Sequence, residues 1–127
     1  MTVDLAPGWK TSLELGPNWL FVKLHGPFGD TADAAGIADS IALMMQQDLV
    51  DRIVLELDEL LNMPSDFIRE LFDLRDRVDR NGGQLRLCGL CDDHREVLEA
   101  HDFSRRFVPF RNREEAILGF YRPNKPR

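Results

Sequence analysis

Cysteine is scarce in this sequence, with two cysteines among 127 residues, and long apolar runs are missing. Two cysteines are too few for the disulfide framework that stabilises small secreted domains. A membrane-spanning helix needs about 20 consecutive apolar residues, and no segment approaches that length. The first residues also lack the basic and then apolar pattern of a secretory signal. These absences predict a cytoplasmic protein without direct membrane insertion.

The composition that remains is that of an ordinary globular chain, with 43% hydrophobic and 30% charged residues. This length fits one domain and is sufficient to bury a single core without disulfides or metals. Residues 1–11, which include Pro7 and Gly8, have a loop-like pattern. Residues 122–127 contain two further prolines. Both segments are therefore expected to be flexible termini.

The charge is unevenly distributed along the chain. The formal net charge is −6, yet residues 104–127 carry seven basic residues against Glu114 and Glu115. A basic end can bind phosphate or an acidic partner, although a solvated helix face followed by a frayed tail explains it equally. No interleaving of aromatic and basic residues accompanies the charge, so no nucleic-acid partner is expected.

Apolar runs and turn residues predict alternating strands and helices. The predicted strands are Ser12–Leu15, Trp19–Leu24, Arg52–Leu57, Gln84–Leu90 and Phe107–Phe110. The predicted helices run from a cap at Asp30 or Thr31 to about Gln47, from Ser65 to Gly82-Gly83, from Asp92-Asp93 onwards, and over Arg113–Tyr121. Strands that alternate with helices favour a mainly parallel sheet, which here follows an N-terminal antiparallel hairpin. The sequence therefore predicts one α/β domain of order β-β-α-β-α-β-α-β-α, with helices packed on the sheet.

Cys88 and Cys91 form a Cys-x-x-Cys pattern at the end of a predicted strand. A reactive thiolate needs a helix N-terminus, whereas Cys88 lies inside the apolar strand and the nearby aspartates would raise a thiol pKa. A metal site would add His94 and His101, but that spacing is not a usual zinc framework. A redox or metal function therefore remains only a lesser alternative.

Catalytic signatures are also missing from the sequence. It has no Ser-His-Asp elbow, HExxH, GxGxxG or GxxxxGK[ST] motif. Adjacent carboxylates such as Asp58 and Glu59 are weak evidence for catalysis in an acidic protein. The sequence thus predicts a non-enzymatic protein without a cofactor.

The segment between the clearest strand and the clearest helix, Leu60 to Phe67, is where an open parallel sheet places its functional loop. Ser65 is predicted to be the N-cap, with its hydroxyl accepting from a backbone N–H of the first turn. Asp66 would then be the first helical residue, where a negative charge suits the helix dipole. A plain capping pair explains both residues without any function.

The order of elements and four local patterns resemble the STAS domain, the fold of bacterial anti-sigma-factor antagonists, over roughly residues 12–121. The patterns are Val22-Lys-Leu-His-Gly26, Ile53-Val-Leu-Glu-Leu-Asp-Glu-Leu60, Asn81-Gly-Gly-Gln-Leu-Arg-Leu87 and Val97-Leu-Glu-Ala-His-Asp-Phe103. Phosphorylated members of that family carry Asp-Ser-Ser-Gly in the loop, and a partner kinase that is also the anti-sigma factor phosphorylates the second serine. The matching positions here are Pro64, Ser65, Asp66 and Phe67.

This departure from the family pattern bears on regulation. The resemblance places Asp66 at the phosphoacceptor position, where an aspartate offers less charge and fewer acceptor oxygens than a phosphate. Phosphorylation at the usual position is therefore not expected. A register shifted by one residue would instead make Ser65 the phosphoacceptor.

The resemblance implies a module that regulates transcription by binding a protein partner. The expected partner is an anti-sigma factor with serine-kinase character or another STAS-binding regulatory protein. The implied partner-binding residues are Asn62, Met63, Pro64, Ser65, Asp66, Phe67 and Arg69. An alternative is a STAS-type subunit of a larger regulatory or transporter assembly.

Overall fold

Five strands and four helices follow one another in the computed structural model, which describes residues 2–100 and 109–118. The strands are β1 (Thr2–Ala6), β2 (Trp9–Leu15), β3 (Leu20–His25), β4 (Arg52–Glu56) and β5 (Gln84–Cys88). The helices are α1 (Ile37–Gln47), α2 (Ser65–Arg80), α3 (Asp92–Ala100) and α4 (Arg113–Leu118).

The strands form one mixed sheet in the order β1-β2-β3-β4-β5. The pairs β1/β2 and β2/β3 are antiparallel, whereas β3/β4 and β4/β5 are parallel. The hairpin of β2 and β3 turns at Gly16, whose N–H donates to the carbonyl oxygen of Trp19 at 2.8 Å. The predicted single α/β domain is confirmed, with a second antiparallel pairing that β1 contributes.

The main core lies between one face of the sheet and the helices α1 and α2. Alternation along β3 and β4 directs Val22, Leu24, Ile53 and Leu55 to this face, and all four are fully buried. The predicted apolar stripe of α2 is confirmed, since Phe67, Leu71, Leu74 and Val78 are each at most 4% exposed. We call this the helix face of the sheet.

A smaller cluster covers the other face, which we call the back face. It contains Trp19, Phe21, Val54 and Cys88 of the sheet and Ala116 of α4. Burial on both faces explains why β4 has a nearly continuous apolar sequence. The parallel order brings the carboxyl ends of β3, β4 and β5 to one edge of the sheet.

The prediction of a loop-like segment over residues 1–11 is wrong. Residues Thr2–Ala6 form β1, and β2 begins at Trp9 rather than at Ser12. Pro7 and Gly8 form the short turn of the hairpin between these two strands. Strand β1 was not predicted, because polar residues interrupt its short apolar pattern. The predicted flexible segment 122–127 lies outside the described residues.

Helix α1 begins later than the cap predicted at Asp30 or Thr31. The first helical residue is Ile37, and the N-cap is Gly36 with a φ of 92°. The preceding N–H groups bind elsewhere, because that of Asp33 donates to the Pro7 carbonyl and that of Ala34 donates to Asp66. These tertiary bonds hold the segment in an irregular conformation.

Two predictions near the C-terminus lie partly outside the described residues. Of the predicted strand Phe107–Phe110, the described part contributes an isolated bridge between Phe110 and Cys88. Of the predicted helix Arg113–Tyr121, the described part is helical up to Leu118.

Candidate functional site

The loop from Leu57 to Pro64 leaves the carboxyl end of β4 and is anchored to both neighbouring strands. Leu57 donates its N–H to the Cys88 carbonyl at 2.9 Å, next to β5. Leu61 donates its N–H to the Gly26 carbonyl at 2.7 Å, just after β3. Because both sides of the loop are held by backbone bonds, its outward-facing residues have a fixed position at the sheet edge.

Most of the residues predicted to bind a partner lie on the surface of this loop and the first turn of α2. Asn62, Ser65 and Arg69 are exposed, and Met63 and Pro64 are half-buried. Leu61, which the sequence interpretation did not include, has 61% of its surface exposed. The structure therefore brings an apolar side chain and several polar ones together at the start of α2.

The predicted capping role of Ser65 is wrong by one residue. The N-cap of α2 is Pro64, whose carbonyl accepts from the Ile68 N–H at 3.1 Å, and no side chain caps the helix there. Ser65 is the first helical residue and Asp66 the second. Pro64 has extended backbone angles, with φ −69° and ψ 156°, as is typical of an N-cap residue, so the helical conformation begins at Ser65. Ser65 consequently occupies an exposed position in the first turn of α2.

Asp66 connects α2 to the segment that precedes α1. Its Oδ2 accepts from the Ala34 N–H at 3.0 Å, and its Oδ1 accepts from its neighbouring Phe67 N–H at 2.8 Å. Both bonds are partly buried, so water competes weakly with them. Asp66 is thus engaged by backbone donors rather than extended into solvent.

Glu70 repeats this arrangement one turn further along α2. Its Oε1 accepts from the Ala38 N–H at 2.8 Å, a donor in the first turn of α1 that has no partner inside the helix. The two carboxylates lie four residues apart on one face of α2, next to the positive end of the α1 dipole. Together they hold the N-terminus of α1 against α2.

Glu70 was missed by the sequence interpretation. Two acidic residues at i and i+4 repel each other on an isolated helix. The acceptor roles of Asp66 and Glu70 are revealed only by the packing of α1 on α2, since acidic residues near the start of α2 are also expected from the dipole of that helix.

Phe67 is buried in the core instead of facing a partner. Its ring stacks on Trp9 with a centroid distance of 4.7 Å and an interplanar angle of 17°. The side chain is 0% exposed. Trp9 at the start of β2 provides the surface against which the Phe67 ring packs.

An ion pair lies beside the loop on the back face of the sheet. Lys23 Nζ is 3.1 Å from Asp58 Oδ2, and this hydrogen bond raises the pKa of Lys23 above its ordinary value. Gly89, with a φ of 82°, lies against Asp58, where an added Cβ would come 3.1 Å from the Asp58 backbone nitrogen. The first residues after β4 and β5 are thereby packed closely together.

The two cysteines occupy different environments. Cys91 is exposed, whereas Cys88 is buried, and desolvation raises the pKa of the Cys88 thiol to about 12. The carboxylates of Glu56 and Asp58 add to this increase, rather than the aspartates at positions 92 and 93. A thiol protonated at neutral pH is a poor nucleophile.

No group of three or more His, Cys, Asp and Glu side chains suitable for a metal ion occurs within residues 2–100 and 109–118. His94 is among these residues, whereas His101 lies outside them. In the same described ranges, no helix has the length and apolar character required to cross a membrane.

The arginines in the described part of the basic C-terminal end bind carboxylates of the same domain. Arg113 donates to Glu56 at 2.7 and 3.0 Å and to Glu14 at 3.0 Å. Arg111 donates from Nε to Glu115 at 2.8 Å. Arg113 joins α4 to β2 and β4, whereas Arg111 binds a carboxylate of α4 itself, so structural pairing accounts for both arginines without a phosphate or an acidic partner.

Residues 11–116 match the family model of the STAS domain. This match covers most of the chain, and the chain therefore belongs to the STAS domain family. The resemblance inferred from the order of elements and the local patterns is confirmed.

Several solved structures, two of them described as anti-sigma-factor antagonists, have the same fold. Unphosphorylated SpoIIAA of Bacillus is 19% identical with a TM-score of 0.68, over 84% of this chain and 92% of that chain. An anti-sigma factor antagonist from Mycobacterium paratuberculosis is 13% identical with a TM-score of 0.73. The match covers 92% of this chain and 97% of that chain. A serine-to-glutamate variant of RsbS from Moorella thermoacetica is 11% identical with a TM-score of 0.69. The match covers 86% of this chain and 92% of that chain. No curated protein matches the sequence.

Proposed function

We propose that this chain is a non-enzymatic regulatory module that binds a protein partner through the loop before α2 and the exposed start of that helix. Its structural neighbours SpoIIAA and the mycobacterial protein are described as anti-sigma factor antagonists. The proposed partner is an anti-sigma factor of serine-kinase type or another regulatory protein that binds STAS domains. The proposed process is transcription regulation in the cytoplasm.

The exposed side chains at the start of α2 support this proposal. Leu61 is 61% exposed, and the polar residues Asn62, Ser65 and Arg69 that follow it along the chain are also exposed. Arginine often contributes strongly to protein–protein binding, so Arg69 is the side chain on this surface best suited to contact a partner. Met63 and Phe67 support the surface from below, since both pack against the main core.

The contacts of Asp66 carry the proposal about regulation. SpoIIAA is known in phosphorylated and unphosphorylated forms. At the position matched to the phosphoserine, this chain has a carboxylate that already accepts two backbone N–H bonds. We therefore infer that partner binding is not switched by phosphorylation at position 66, and that Asp66 serves to hold α1 against α2.

A binding assay with matched charge reversals tests the proposed surface. The full chain is titrated against a panel of purified anti-sigma serine kinases, together with Arg69→Glu at the start of α2 and Arg80→Glu at its end. Both arginines are exposed, so the two variants change net charge equally. We expect Arg69→Glu to weaken binding by about tenfold or more, and Arg80→Glu by less than about twofold. Equal effects of the two variants would place the surface elsewhere, and binding to no kinase would contradict the proposed partner class.

A further inference from the structure

Polar side chains cover the back face of the sheet where β1, β2 and β3 pair. Trp9 and Thr11 of β2 are buried, and alternation directs the intervening Lys10 and the following Ser12 to the opposite face. The register pairs Lys10 with Asp4 on β1 and with His25 on β3. It also places Ser12 between Thr2 and Lys23. Cations, an imidazole, hydroxyls and the carboxylate of Asp4 therefore lie side by side across three strands.

A hollow of about 430 Å³ opens on this face, and we call it the Lys10 hollow. It is lined by Thr2, Lys10, Ser12, His25 and Phe28. Its polar lining consists of one ammonium group, one imidazole and two hydroxyls, and none of the five carries a carboxylate. A second hollow of about 470 Å³ adjoins it and shares Lys10 and Phe28. Asp4 lines only this second hollow, on the other side of Lys10.

Phe28 forms an aromatic wall that the backbone holds in place. Its N–H donates to the Gly8 carbonyl at 2.8 Å, which ties the segment after β3 to the turn between β1 and β2. Gly8 permits this approach, because it has a φ of 77° and a Cβ there would lie 2.6 Å from the Phe28 carbonyl oxygen. The Phe28 side chain remains 46% exposed beside the hollow. An exposed ring on a fixed backbone is available for stacking with a planar ligand group.

The donors of the hollow are already oriented. Ser12 Oγ lies 2.9 Å from His25 Nε2, so these two groups hold each other in position. When Nε2 carries the proton and donates to Oγ, the hydroxyl proton of Ser12 is left for an acceptor in the hollow. Within residues 2–100 and 109–118, no ion pair involves Lys10, whereas the neighbouring Lys23 is paired with Asp58. Lys10 therefore offers a cation whose ion-pairing capacity is unused in the described part of the chain.

We propose that the Lys10 hollow binds a small phosphomonoester that carries a planar ring. The phosphate would accept from the Lys10 ammonium and from the Ser12 hydroxyl, which His25 Nε2 holds in position, while the ring stacks on Phe28. Several converging donors suit the three terminal oxygens of a phosphomonoester, and a charged acceptor strengthens each of these bonds. This site lies on the face of the sheet opposite α1 and α2, so it is separate from the proposed partner-binding surface.

Titration of the full chain with phenyl phosphate, followed by NMR of the backbone amides, tests this site. Inorganic phosphate and phenol are titrated separately at the same ionic strength. We expect saturable shifts at Lys10, Ser12, His25 and Phe28, with phenyl phosphate bound about tenfold more tightly than either fragment. The absence of saturable shifts at these amides up to about 10 mM would overturn the proposal, as would equal affinity for inorganic phosphate.

Two lysine variants on the same face separate a specific contact from a general charge effect. Lys10→Met and Lys23→Met each remove one positive charge, and both lysines lie on the back face near His25. We expect Lys10→Met to reduce the affinity for phenyl phosphate about tenfold, and Lys23→Met by less than about twofold. Equal losses in the two variants would show attraction by net charge alone and would overturn the site.

Discussion

At the scale of single residues, Asp66 has the clearest structural role. Its carboxylate satisfies the N–H groups of Ala34 and Phe67, and the Ala34 bond joins segments 32 residues apart. Replacement by alanine leaves a partly buried donor without its acceptor. Replacement by asparagine retains one acceptor oxygen. If these hydrogen bonds of Asp66 hold α2 against the segment before α1, the alanine variant should lose more stability than the asparagine variant.

We expect Asp66→Ala to lower the free energy of unfolding by about 1–2 kcal/mol, and Asp66→Asn by less than half of that. The measurement is urea unfolding with an unchanged m value. Asp79→Ala is the control, because Asp79 is an exposed carboxylate on the same helix. The control is expected to change stability by less than about 0.5 kcal/mol. If Asp66→Ala lowered the free energy of unfolding no more than Asp79→Ala does, the hydrogen bonds of Asp66 would not stabilise the fold.

Cys88 predicts a dependence of stability on alkaline pH. Burial raises its pKa from an ordinary value of 9.0 to about 12. Between these values the thiol ionises in the unfolded chain but stays protonated in the folded one, so the contribution of Cys88 to stability is complete below pH 9 and falls as pH rises. Relative to Cys88→Ala, the wild type should lose up to about 1.4 kcal/mol per pH unit above pH 9. Urea unfolding of both proteins from pH 8 to 10.5 measures this, and a constant difference would contradict it.

At the scale of elements, two arginines attach α4 to the sheet. Arg86 of β5 donates to the carbonyl oxygens of Ala116 and Ile117, and Arg113 of α4 makes the charged contact with β4. Arg113 binds both oxygens of Glu56, which is only 8% exposed, and its guanidinium lies 4.0 Å from the centroid of the Phe21 ring. Arg113→Met retains apolar packing but leaves a buried carboxylate without its cation. Because a third of the Arg113 side chain is exposed, solvent reduces the penalty.

We expect Arg113→Met to lower the free energy of unfolding by about 2 kcal/mol. Glu14→Gln removes the second, exposed carboxylate partner of Arg113 and is expected to cost less than about 0.5 kcal/mol. Urea unfolding of the two variants provides the comparison. A similar small effect in both would show that the pair with Glu56 does not secure α4.

The start of α1 depends on α2 for its hydrogen-bond acceptors. Glu70 accepts from Ala38, and Asp66 accepts from Ala34, so each carboxylate protects a different amide. We expect Glu70→Ala to accelerate hydrogen exchange of the Ala38 amide about tenfold or more while leaving Ala34 protected, and Asp66→Ala to do the reverse. Amide exchange followed by NMR distinguishes these outcomes. Equal changes in exchange rate at both amides in both variants would indicate that each substitution destabilises the whole segment. They would contradict two independent hydrogen bonds from Asp66 and Glu70.

At the scale of the whole molecule, the fold could be predicted from strong local patterns. The apolar run of β4 and the apolar stripe of α2 are confirmed, because β4 is buried on both faces of the sheet and α2 buries one side against the core. Strand β1 was missed, since its five residues include polar positions on an edge strand that faces solvent on one side. The order of these elements and four local sequence patterns together indicated the family that the match over residues 11–116 confirms.

The candidate site could be predicted only in part, because its decisive contacts join distant segments. The loop and the start of α2 follow from the sequence, and the exposed positions of Ser65 and Arg69 agree with that prediction. The roles of Asp66 and Phe67 depend on Ala34 and Trp9, which come close only when α1 and β2 pack against α2. The start of α1 was mispredicted for the same reason, as tertiary acceptors replaced a local cap.

The central claim is that the domain binds its partner without a phosphorylation switch at the start of α2. The most direct test incubates the full chain with each anti-sigma serine kinase of the panel, Mg²⁺ and ATP, and combines intact-mass analysis with a binding measurement. We expect at least one kinase to bind the chain while its mass remains unchanged. A single added phosphate mapped to Ser65 would contradict the claim and would show that Ser65, rather than position 66, is the phosphoacceptor.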